Sequence, residues 1–227
     1  MCVGFWSLEH PDYVFNRDES LLRRTAPAHF HSFEDLNGPP VDGGQVLSGR
    51  DLQAWGTWQG LNLAGRVAFL TNITEEPGQY SSSRGQLVSS FLRPDPSSIT
   101  LTDHVNELIA QKTSYAGFNL LLLSPTLKTS ENTLSFDAVY VTNSGGGGSI
   151  TARPLTTAER QCGGLSNGID GHGASEWPKV EQGTNAFKDI LEGISADTPE
   201  EQVTERLFRL LAWVHAPVLI FVLRSPL

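Results

Sequence analysis

The segment that most constrains the fold is an unbroken run of four leucines, Leu120 to Leu123, within the sequence YAGFNLLLLSP. A short apolar run of this kind, ended here by Ser-Pro, is typical of a β-strand covered on both faces. A sheet covered on both faces needs a layer of structure on each side. The 227 residues, 39% of them hydrophobic, suffice for one large domain of that type.

The first third of the chain reads as antiparallel strands. The segments CVGFWSL and DYVFN are β-rich and are separated by EHPD, which predicts an antiparallel pair at the start of the fold. Further strands are expected in VLSGRD and in GTWQGLNLAGRVAFLTN, with a turn between Asn62 and Gly65. These segments together predict a meander.

Helices and strands then alternate in blocks. SSSRGQLVSSFL and SITLTDHVNELIAQK predict two helices with serines as N-caps, and FDAVYVTNS and SITARPL predict a hairpin with a glycine tetrad at its tip. Two amphipathic helices are expected at about 178–194 and 199–213. The order of strands, helices, strands and helices predicts a layered α+β domain.

Charge, cysteine content and the N-terminus exclude several classes of protein. A net charge of -9 repels phosphate backbones, so no nucleic-acid partner is expected. Two cysteines cannot form a disulfide framework, and the N-terminus lacks the basic start and apolar centre of a signal peptide, so we expect a cytoplasmic protein. The longest apolar stretch, residues 210–223, contains His215 and Pro217 and is too short for an integral membrane segment.

Nucleotide and metal sites are not indicated. The glycine tetrad at 145–148 lacks the spacing and the following Lys-Ser or Lys-Thr of a phosphate loop. His29 and His31 alternate in HFH, but no third ligand follows at metal-binding spacing. We therefore expect no metal site, and we interpret both histidines as packing or solvent-facing residues.

Cys2 is the most suggestive single residue for chemistry. If Met1 is removed, the α-amine of Cys2 titrates near ~8 and can act as the general base for its own thiol. The alternative is that Cys2 is a small apolar residue at the start of a strand. The Met-Cys start alone does not decide between them.

Polar residues that end strands supply candidate partners for Cys2. In FNRDES, a hairpin with the Cys2 strand brings Arg17 and Asp18 within reach of the N-terminus. Asp18 can hold an α-ammonium, and Arg17 can hold a carboxylate or polarise a carbonyl. Candidate ligand-binding residues follow from the same positions: Asn16, Arg17, Asp18, Glu19 and Asn72. Asn167, in GLSN, ends a further segment, and like Asn72 it is either a candidate oxyanion donor or the anchor of a loop.

Six motifs occur in order after the Met-Cys start: NRDE at 16–19, WGTWQG at 55–60, LTN at 70–72, RG at 84–85, YAGFNL at 115–120 and GLSN at 164–167. With these motifs, the chain resembles the NRDE-domain family typified by the transport and Golgi organisation protein 2 homologues. The resemblance covers about residues 1–213, which we interpret as one NRDE domain, followed by an atypical apolar tail at 214–227.

The resemblance implies an N-terminal-nucleophile-hydrolase-like αββα sandwich, similar to the choloylglycine hydrolase and penicillin V acylase group. The catalytic roles of that group would fall on Cys2, Arg17, Asp18 and Asn167, with Asn72 a weaker candidate. The family also implies a strand with a Tyr-Gly-Thr-Arg-like motif after the last helices. This chain instead ends in LFRLLAWVHAPVLIFVLRSPL, so we expect a sandwich that is incomplete at its C-terminal end.

The function that the resemblance implies is a role in Golgi organisation and protein secretion, with handling of acyl-lipid, acyl-coenzyme A or haem in a hydrolase-like pocket. No cofactor is required by this interpretation, and peripheral association with Golgi, endoplasmic reticulum or mitochondria is expected. Two alternatives stay open: an N-terminal-cysteine amidohydrolase acting on a non-peptide C–N bond, and an interaction module in which the polar cluster is structural.

Overall fold

The computed structural model describes residues 2–9, 12–17, 19–20, 22–33, 41–93, 99–128, 133–195 and 197–212. Its strands are β1 (Val3–Ser7), β2 (Asp12–Asn16), β3 (Thr25–Ser32), β4 (Val41–Asp42), β5 (Val46–Asp51), β6 (Gln59–Asn62), β7 (Val67–Asn72), β8 (Phe118–Lys128), β9 (Thr133–Thr142), β10 (Thr151–Pro154) and β11 (Gly163–Leu165). Its helices are α1 (Gly85–Leu92), α2 (Leu101–Ala110), α3 (Thr157–Gln161), α4 (Pro178–Glu192) and α5 (Glu200–Leu211).

The strands form two antiparallel sheets. The small sheet has the order β11-β1-β2, and the large sheet has the order β10-β9-β8-β7-β6-β5-β3-β4. The predicted opening pair is β1 with β2, and the predicted meander is β5-β6-β7, with Gly65 at a positive φ of 80° in the turn. The glycine tetrad lies at the tip of the β9–β10 hairpin, as predicted.

The strand with the leucine run extends further than its sequence indicates. β8 continues through Ser124 and Pro125 to Lys128 instead of ending at Ser-Pro. Its pairing with β7 stops at Leu123, so Pro125 pairs with β9 alone. A proline is tolerated there because the side of β8 without a partner needs no N–H donor from it.

The two sheets pack face to face through aromatic side chains. Phe69 of β7 lies between Trp6 and Phe15, with ring centroids 5.8 Å and 5.7 Å away. Gly4 makes this approach possible, since a Cβ there would lie 2.9 Å from the Phe69 ring. Inward-facing Gly4 and Trp6 alternate with Phe5, whose ring faces the opposite layer and stacks on Phe187 of α4 at 6.1 Å.

Helices cover both outer faces. α1 and α2 pack on the large sheet through a row of buried side chains: Leu87, Val88, Phe91, Leu92, Val105 and Leu108. α4 and α5 pack on the small sheet, where Phe187 and Leu191 meet Phe5. The predicted αββα sandwich is therefore confirmed.

The helix starts differ from those predicted. α1 begins after Arg84 without a side-chain cap, so the prediction that serines cap it was wrong. α2 is capped by Thr100, whose hydroxyl accepts from the Asp103 N–H while the Asp103 carboxylate accepts from the Thr100 N–H. A capping box satisfies two helix-end donors at once, which explains why the helix starts at Leu101 and not at the preceding serines.

α4 and α5 occupy the two predicted C-terminal helix regions, whereas α3 and β11 were missed because each is five residues or shorter. No helix among the described ranges has the length and apolar character needed to cross a bilayer. The predicted division at 213/214 and the apolar tail lie outside the described residues, so they stay predictions.

Candidate functional site

Cys2 lies directly before β1, in the interior between the two sheets. The residue is 3% exposed, and its thiol forms no disulfide. Its backbone nitrogen donates to Asn167 Oδ1 at 3.0 Å, and its carbonyl accepts from Ser166 Oγ at 2.6 Å. The pairing of β1 with β11 brings these residues together, because Ser166 and Asn167 directly follow β11.

Asn167 is bonded through both ends of its side-chain amide. Besides the Cys2 nitrogen, Oδ1 accepts from the Lys179 ammonium at 3.1 Å, and Nδ2 donates to the backbone carbonyl of Asn72 at 2.6 Å. Its own carbonyl accepts from the Thr74 N–H at 2.9 Å. Asn167 therefore positions the nitrogen of Cys2, and its amide oxygen and amide nitrogen each already have a protein partner.

The side-chain amide of Asn72, the last residue of β7, differs from that of Asn167 in its hydrogen bonds. Its side-chain oxygen is buried, and no described residue donates a hydrogen bond to it. Asn72 and Cys2 line the same cavity of about 450 Å³, with Asn167 between them. The two asparagines predicted from the sequence thus lie together, but Asn72 is the one whose amide is available to a bound molecule.

The cavity continues past Asn72. A second cavity of about 550 Å³ shares lining residues with the first, namely Glu19, Asn72, Gly78, Tyr80, Arg84 and Ala116. Its further walls are formed mainly by polar side chains: Arg23, Gln53, Ser81, Ser82 and Ser83, with Trp58 beside them. Cys2 lines the first cavity only.

The NRDE segment contributes to these walls unequally. Asn16 ends β2 opposite Val3, and Glu19 lines both cavities. Arg17 stacks on Trp58, with its guanidinium carbon 3.4 Å from the ring centroid, and its Nη2 lies 3.4 Å from Glu19 Oε2. Asp18 lies outside the described residues, so its predicted role stays a prediction.

Arg17 faces another cleft, of about 220 Å³, formed by Phe15, Trp58 and residues of β3 and β5, and it does not line the Cys2 cavity. Burial, assisted by the positive charge of Arg23, lowers the pKa of Arg17 from its usual value, while the charge of Glu19 opposes that shift. Arg17 is therefore a neighbour of the site, held by Trp58 and Glu19.

A family model for Transport and Golgi organisation 2 matches residues 1–218 of the chain. The chain belongs to this family. The mouse Transport and Golgi organization 2 homolog is 29% identical over 213 residues, which are 91% of this chain and 70% of that protein. The human homolog is 28% identical over 181 residues, or 78% of this chain and 56% of that protein. The chain therefore matches only part of the length of these relatives.

A solved structure shares the architecture of this Transport and Golgi organisation 2 family member. It is that of the Caenorhabditis elegans ortholog of N-acylethanolamine-hydrolyzing acid amidase, with a TM-score of 0.53 and 11% sequence identity. The likeness covers 91% of this chain and 85% of that one. The fold is therefore that of the N-terminal-nucleophile hydrolases, as the sequence resemblance implied.

Several residues of the site were not singled out from the sequence. Arg84 lines both cavities, its Nη1 donates to the Gly117 carbonyl at 2.9 Å, and burial lowers its pKa from the usual value. Lys179, on α4, donates a hydrogen bond from its ammonium group to Asn167 Oδ1. The RG motif at 84–85 was a signal for Arg84, whereas nothing in the local sequence around Lys179 indicates its contact with Asn167.

His29 and His31 lie apart from the site. His31 is fully buried, and its Nε2 is 2.8 Å from Ser48 Oγ, in agreement with a packing role. Within the described part of the chain, no group of three or more His, Cys, Asp or Glu side chains is arranged to hold a metal ion.

Proposed function

We propose that this member of the Transport and Golgi organisation 2 family is a cysteine hydrolase that cleaves the C–N bond of a small polar acyl amide. The observation that carries the proposal is the hydrogen bond from the Cys2 nitrogen to Asn167 Oδ1, beside a cavity that Asn72 also lines and into which it brings an Oδ1 with no hydrogen-bond donor among the described residues. The fold shared with an amidase supports amide hydrolysis as the reaction class.

The proposed reaction begins after removal of Met1. The α-amine of Cys2 takes the proton from its own Sγ, and the thiolate attacks the substrate carbonyl carbon. The Nδ2 group of Asn72 donates to the oxyanion that forms, and its Oδ1 is left to accept from a substrate N–H. The α-ammonium then protonates the leaving nitrogen, the C–N bond breaks, and an acyl thioester remains on Sγ. Water hydrolyses that thioester, which releases the acid and restores the thiol.

The partners of Asn167 suit this role of the α-amine. Asn167 Oδ1 is an acceptor, so it orients one N–H of the amine and leaves the nitrogen lone pair for the thiol proton. The Lys179 ammonium on the same oxygen places a positive charge nearby, which disfavours the protonated form of the amine. A neutral amine is the form that a general base requires.

The lining of the cavity favours a hydrophilic substrate. Hydroxyl, amide and guanidinium groups of Ser81 to Ser83, Gln53 and Arg84 form much of the wall beyond Asn72. A long alkyl chain would leave these groups without hydrogen-bond partners, at a cost in binding free energy. A short or hydroxylated acyl group would satisfy them.

The test begins with the mass of the N-terminus of the purified protein, since only a free Cys2 amine can act as the base. Hydrolysis of a panel of small amides is then measured for the wild type, Cys2→Ala and the matched control Cys162→Ala. We expect activity that Cys2→Ala abolishes and Cys162→Ala retains. A retained Met1, an acetylated amine, or equal activity of the two variants would refute the proposal.

A second candidate function is non-catalytic binding of acyl-coenzyme A or haem, in support of Golgi organisation and secretion. Arg17, Arg23 and Arg84 lie around the cavities and offer cations to phosphate or propionate groups, against the net charge of -9. Titration of the purified protein with each ligand tests this candidate, and the absence of saturable binding would eliminate it.

The cellular form of that proposal is a cytoplasmic protein that associates peripherally with Golgi, endoplasmic reticulum or mitochondrial membranes. Cells that lack the protein are expected to regain normal Golgi structure and secretion on expression of the wild type. Rescue by Cys2→Ala would favour the carrier function, and failure of that variant to rescue would favour the hydrolase.

A further inference from the structure

The segment Thr74–Tyr80 forms one wall of the Cys2 cavity. It connects β7 to the start of α1 and contains no helix or strand. The residues from Thr74 to Gln79 are exposed to solvent, whereas Cys2, on the inner side of this wall, is 3% exposed. The wall is therefore a single layer of irregular chain between solvent and the thiol.

Glu75 fixes this segment to two other loops. Its Oε1 accepts from the Gly117 N–H at 2.6 Å, just before β8, and its Oε2 accepts from the Gly146 N–H at 2.6 Å, in the β9–β10 turn. Hydrogen bonds to a carboxylate are stronger than those between neutral groups. One side chain thus joins the cavity wall to the start of β8 and to the turn after β9, which lie at the same end of that strand pair.

The glycine tetrad allows this contact. A Cβ on Gly146 would overlap the hydroxyl group of Tyr80 and would lie 2.9 Å from Glu75 Oε1. Its neighbours Gly145 and Gly147 have φ values of +133° and +72°, which other residues rarely adopt. The absence of side chains in the turn therefore lets the Gly146 N–H reach Glu75 while Tyr80 packs against the same backbone.

The ends of the segment are fixed independently of Glu75. The Thr74 N–H donates to the Asn167 carbonyl at 2.9 Å, and Ser81 Oγ donates to the Ser114 carbonyl at 3.1 Å. Between these anchors, Glu75 is the residue that hydrogen-bonds to another part of the described chain. If its two bonds break, residues 76–80 can move outward while both anchors stay in place.

We propose that Thr74–Tyr80 is a lid over the Cys2 cavity and that Glu75 is the latch that holds it closed on Gly117 and Gly146. The proposal concerns access to the cavity, so it holds whether the cavity carries out hydrolysis or only binds a ligand. Glu75 acts here as a positioning residue, since it acts through the segment that it holds.

The test is the labelling rate of the two cysteine thiols in the full-length protein, followed by peptide mass spectrometry. Cys162 lies outside the cavity and serves as the internal reference. We expect Glu75→Gln, which keeps one acceptor but replaces the other with a donor, to speed Cys2 labelling. Glu75→Ala loses both bonds and should speed it further, by about tenfold or more relative to Cys162.

Glu76→Gln is the matched control, because Glu76 lines the same cavity and carries the same charge but makes no hydrogen bond with the described residues. Each variant is labelled with iodoacetamide and with a bulky maleimide. Lid opening increases the bulky reagent's rate more than that of iodoacetamide, whereas a change in thiol charge increases both alike.

Gly146→Ala disturbs the hydrogen bond between Gly146 and Glu75 at its donor residue, so it should increase the rate of Cys2 labelling as Glu75→Ala does. Thermal unfolding of every variant is measured first, and labelling is compared well below the lowest melting temperature. Equal Cys2 rates in Glu75→Ala and Glu76→Gln, or equal gains for the two reagents, would overturn the proposal. Loss of amide hydrolysis, in contrast, would not bear on it.

Discussion

Asn72 and Asn167 border the same cavity, yet their side chains have different surroundings. Asn167 bonds to Cys2, Lys179 and the backbone of Asn72, whereas the Asn72 amide oxygen has no donor among the described residues. A bonded amide contributes to stability, and an unbonded one beside a nucleophile is available to substrate. Substitutions at the two positions should therefore differ in their effect on the free energy of unfolding.

We predict that Asn72→Ala lowers kcat/KM for the amide substrate by about 10²-fold with little change in the free energy of unfolding. Asn167→Ala should lower kcat/KM as well, since Asn167 orients the Cys2 amine, and should in addition lower the free energy of unfolding by about 2 kcal/mol, because it removes one acceptor of the Cys2 nitrogen and of the Lys179 ammonium. Urea unfolding and steady-state kinetics on both variants check the prediction. A large loss of stability in Asn72→Ala would contradict it.

His31 should make the stability of the protein depend on pH. Burial lowers its pKa from the usual value of about 6.5, and the positive charge of Arg50 acts in the same direction. The folded protein therefore binds a proton at His31 less readily than the unfolded chain does. The stabilising contribution is complete above about pH 6.5 and is lost as the pH falls from there through the lowered folded-state pKa.

We expect the free energy of unfolding to decrease between pH 7.5 and 5, and His31→Gln to reduce that slope. Urea unfolding at several pH values measures both quantities. His31→Gln will also lower stability at all pH values because it disturbs the bond to Ser48, so the slope is the informative quantity. An unchanged slope would show that other groups cause the acid sensitivity.

The sequence indicated which residues lie at the ends of strands near Cys2 better than it indicated the contacts of their side chains. Cys2, Asn72 and Asn167 were found because each stands at the start or end of a strand, and strand pairing then fixed their neighbourhood. Which amide is bonded and which is not depends on side chains far along the chain, such as Lys179 on α4. Arg17 directly follows Asn16, which pairs with Val3 next to Cys2, but its side chain stacks on Trp58 and lines another cleft.

At the level of single elements, helix starts depend on side-chain caps more than on the helical pattern itself. The Leu101–Ala110 helix follows a capping box formed by Thr100 and Asp103, whereas the Gly85–Leu92 helix has no side-chain cap. The apolar spacing in the sequence identified both helices but could not show which hydroxyl residue caps a helix, because several candidates precede each one.

We predict that Thr100→Ala lowers the free energy of unfolding by about 1 kcal/mol, because it removes the acceptor for the Asp103 N–H. Thr102→Ala, an exposed position inside the same helix, is the matched control and should be neutral or slightly stabilising. Chemical unfolding of both variants provides the measurement. Equal effects of the two substitutions would show that the cap contributes nothing measurable.

At the level of the whole molecule, the sandwich depends on close contact between the two sheets. The alternation of strand segments with helical segments was sufficient to predict a layered α+β domain. The distance between the two sheets was not predictable, because it depends on Gly4 facing the Phe69 ring across the interface, a contact between distant parts of the chain.

We predict that Phe69→Ala lowers the free energy of unfolding by about 3 to 5 kcal/mol, since the ring is fully buried between Trp6 and Phe15. Phe208→Ala is the matched control, because that ring is 67% exposed and its loss should change stability by about 0.5 kcal/mol or less. Thermal or urea unfolding distinguishes these outcomes. A small effect of Phe69→Ala would contradict the proposed packing of the sheets.

The burial of Cys2 also limits when, during synthesis of the protein, Met1 can be removed. Its backbone nitrogen is bonded to a residue 165 positions further along the chain, so this contact can form only after most of the polypeptide has been made. At roughly 5 to 20 residues per second, the ribosome takes on the order of 10 to 30 seconds to reach that point. An aminopeptidase can remove Met1 during this interval, whereas in the folded protein the bond to be cut adjoins a buried residue held by Asn167 and Ser166. We therefore expect Met1 to be removed from the nascent chain, which would create the proposed general base, and we expect a molecule that folds before processing to keep its initiator methionine.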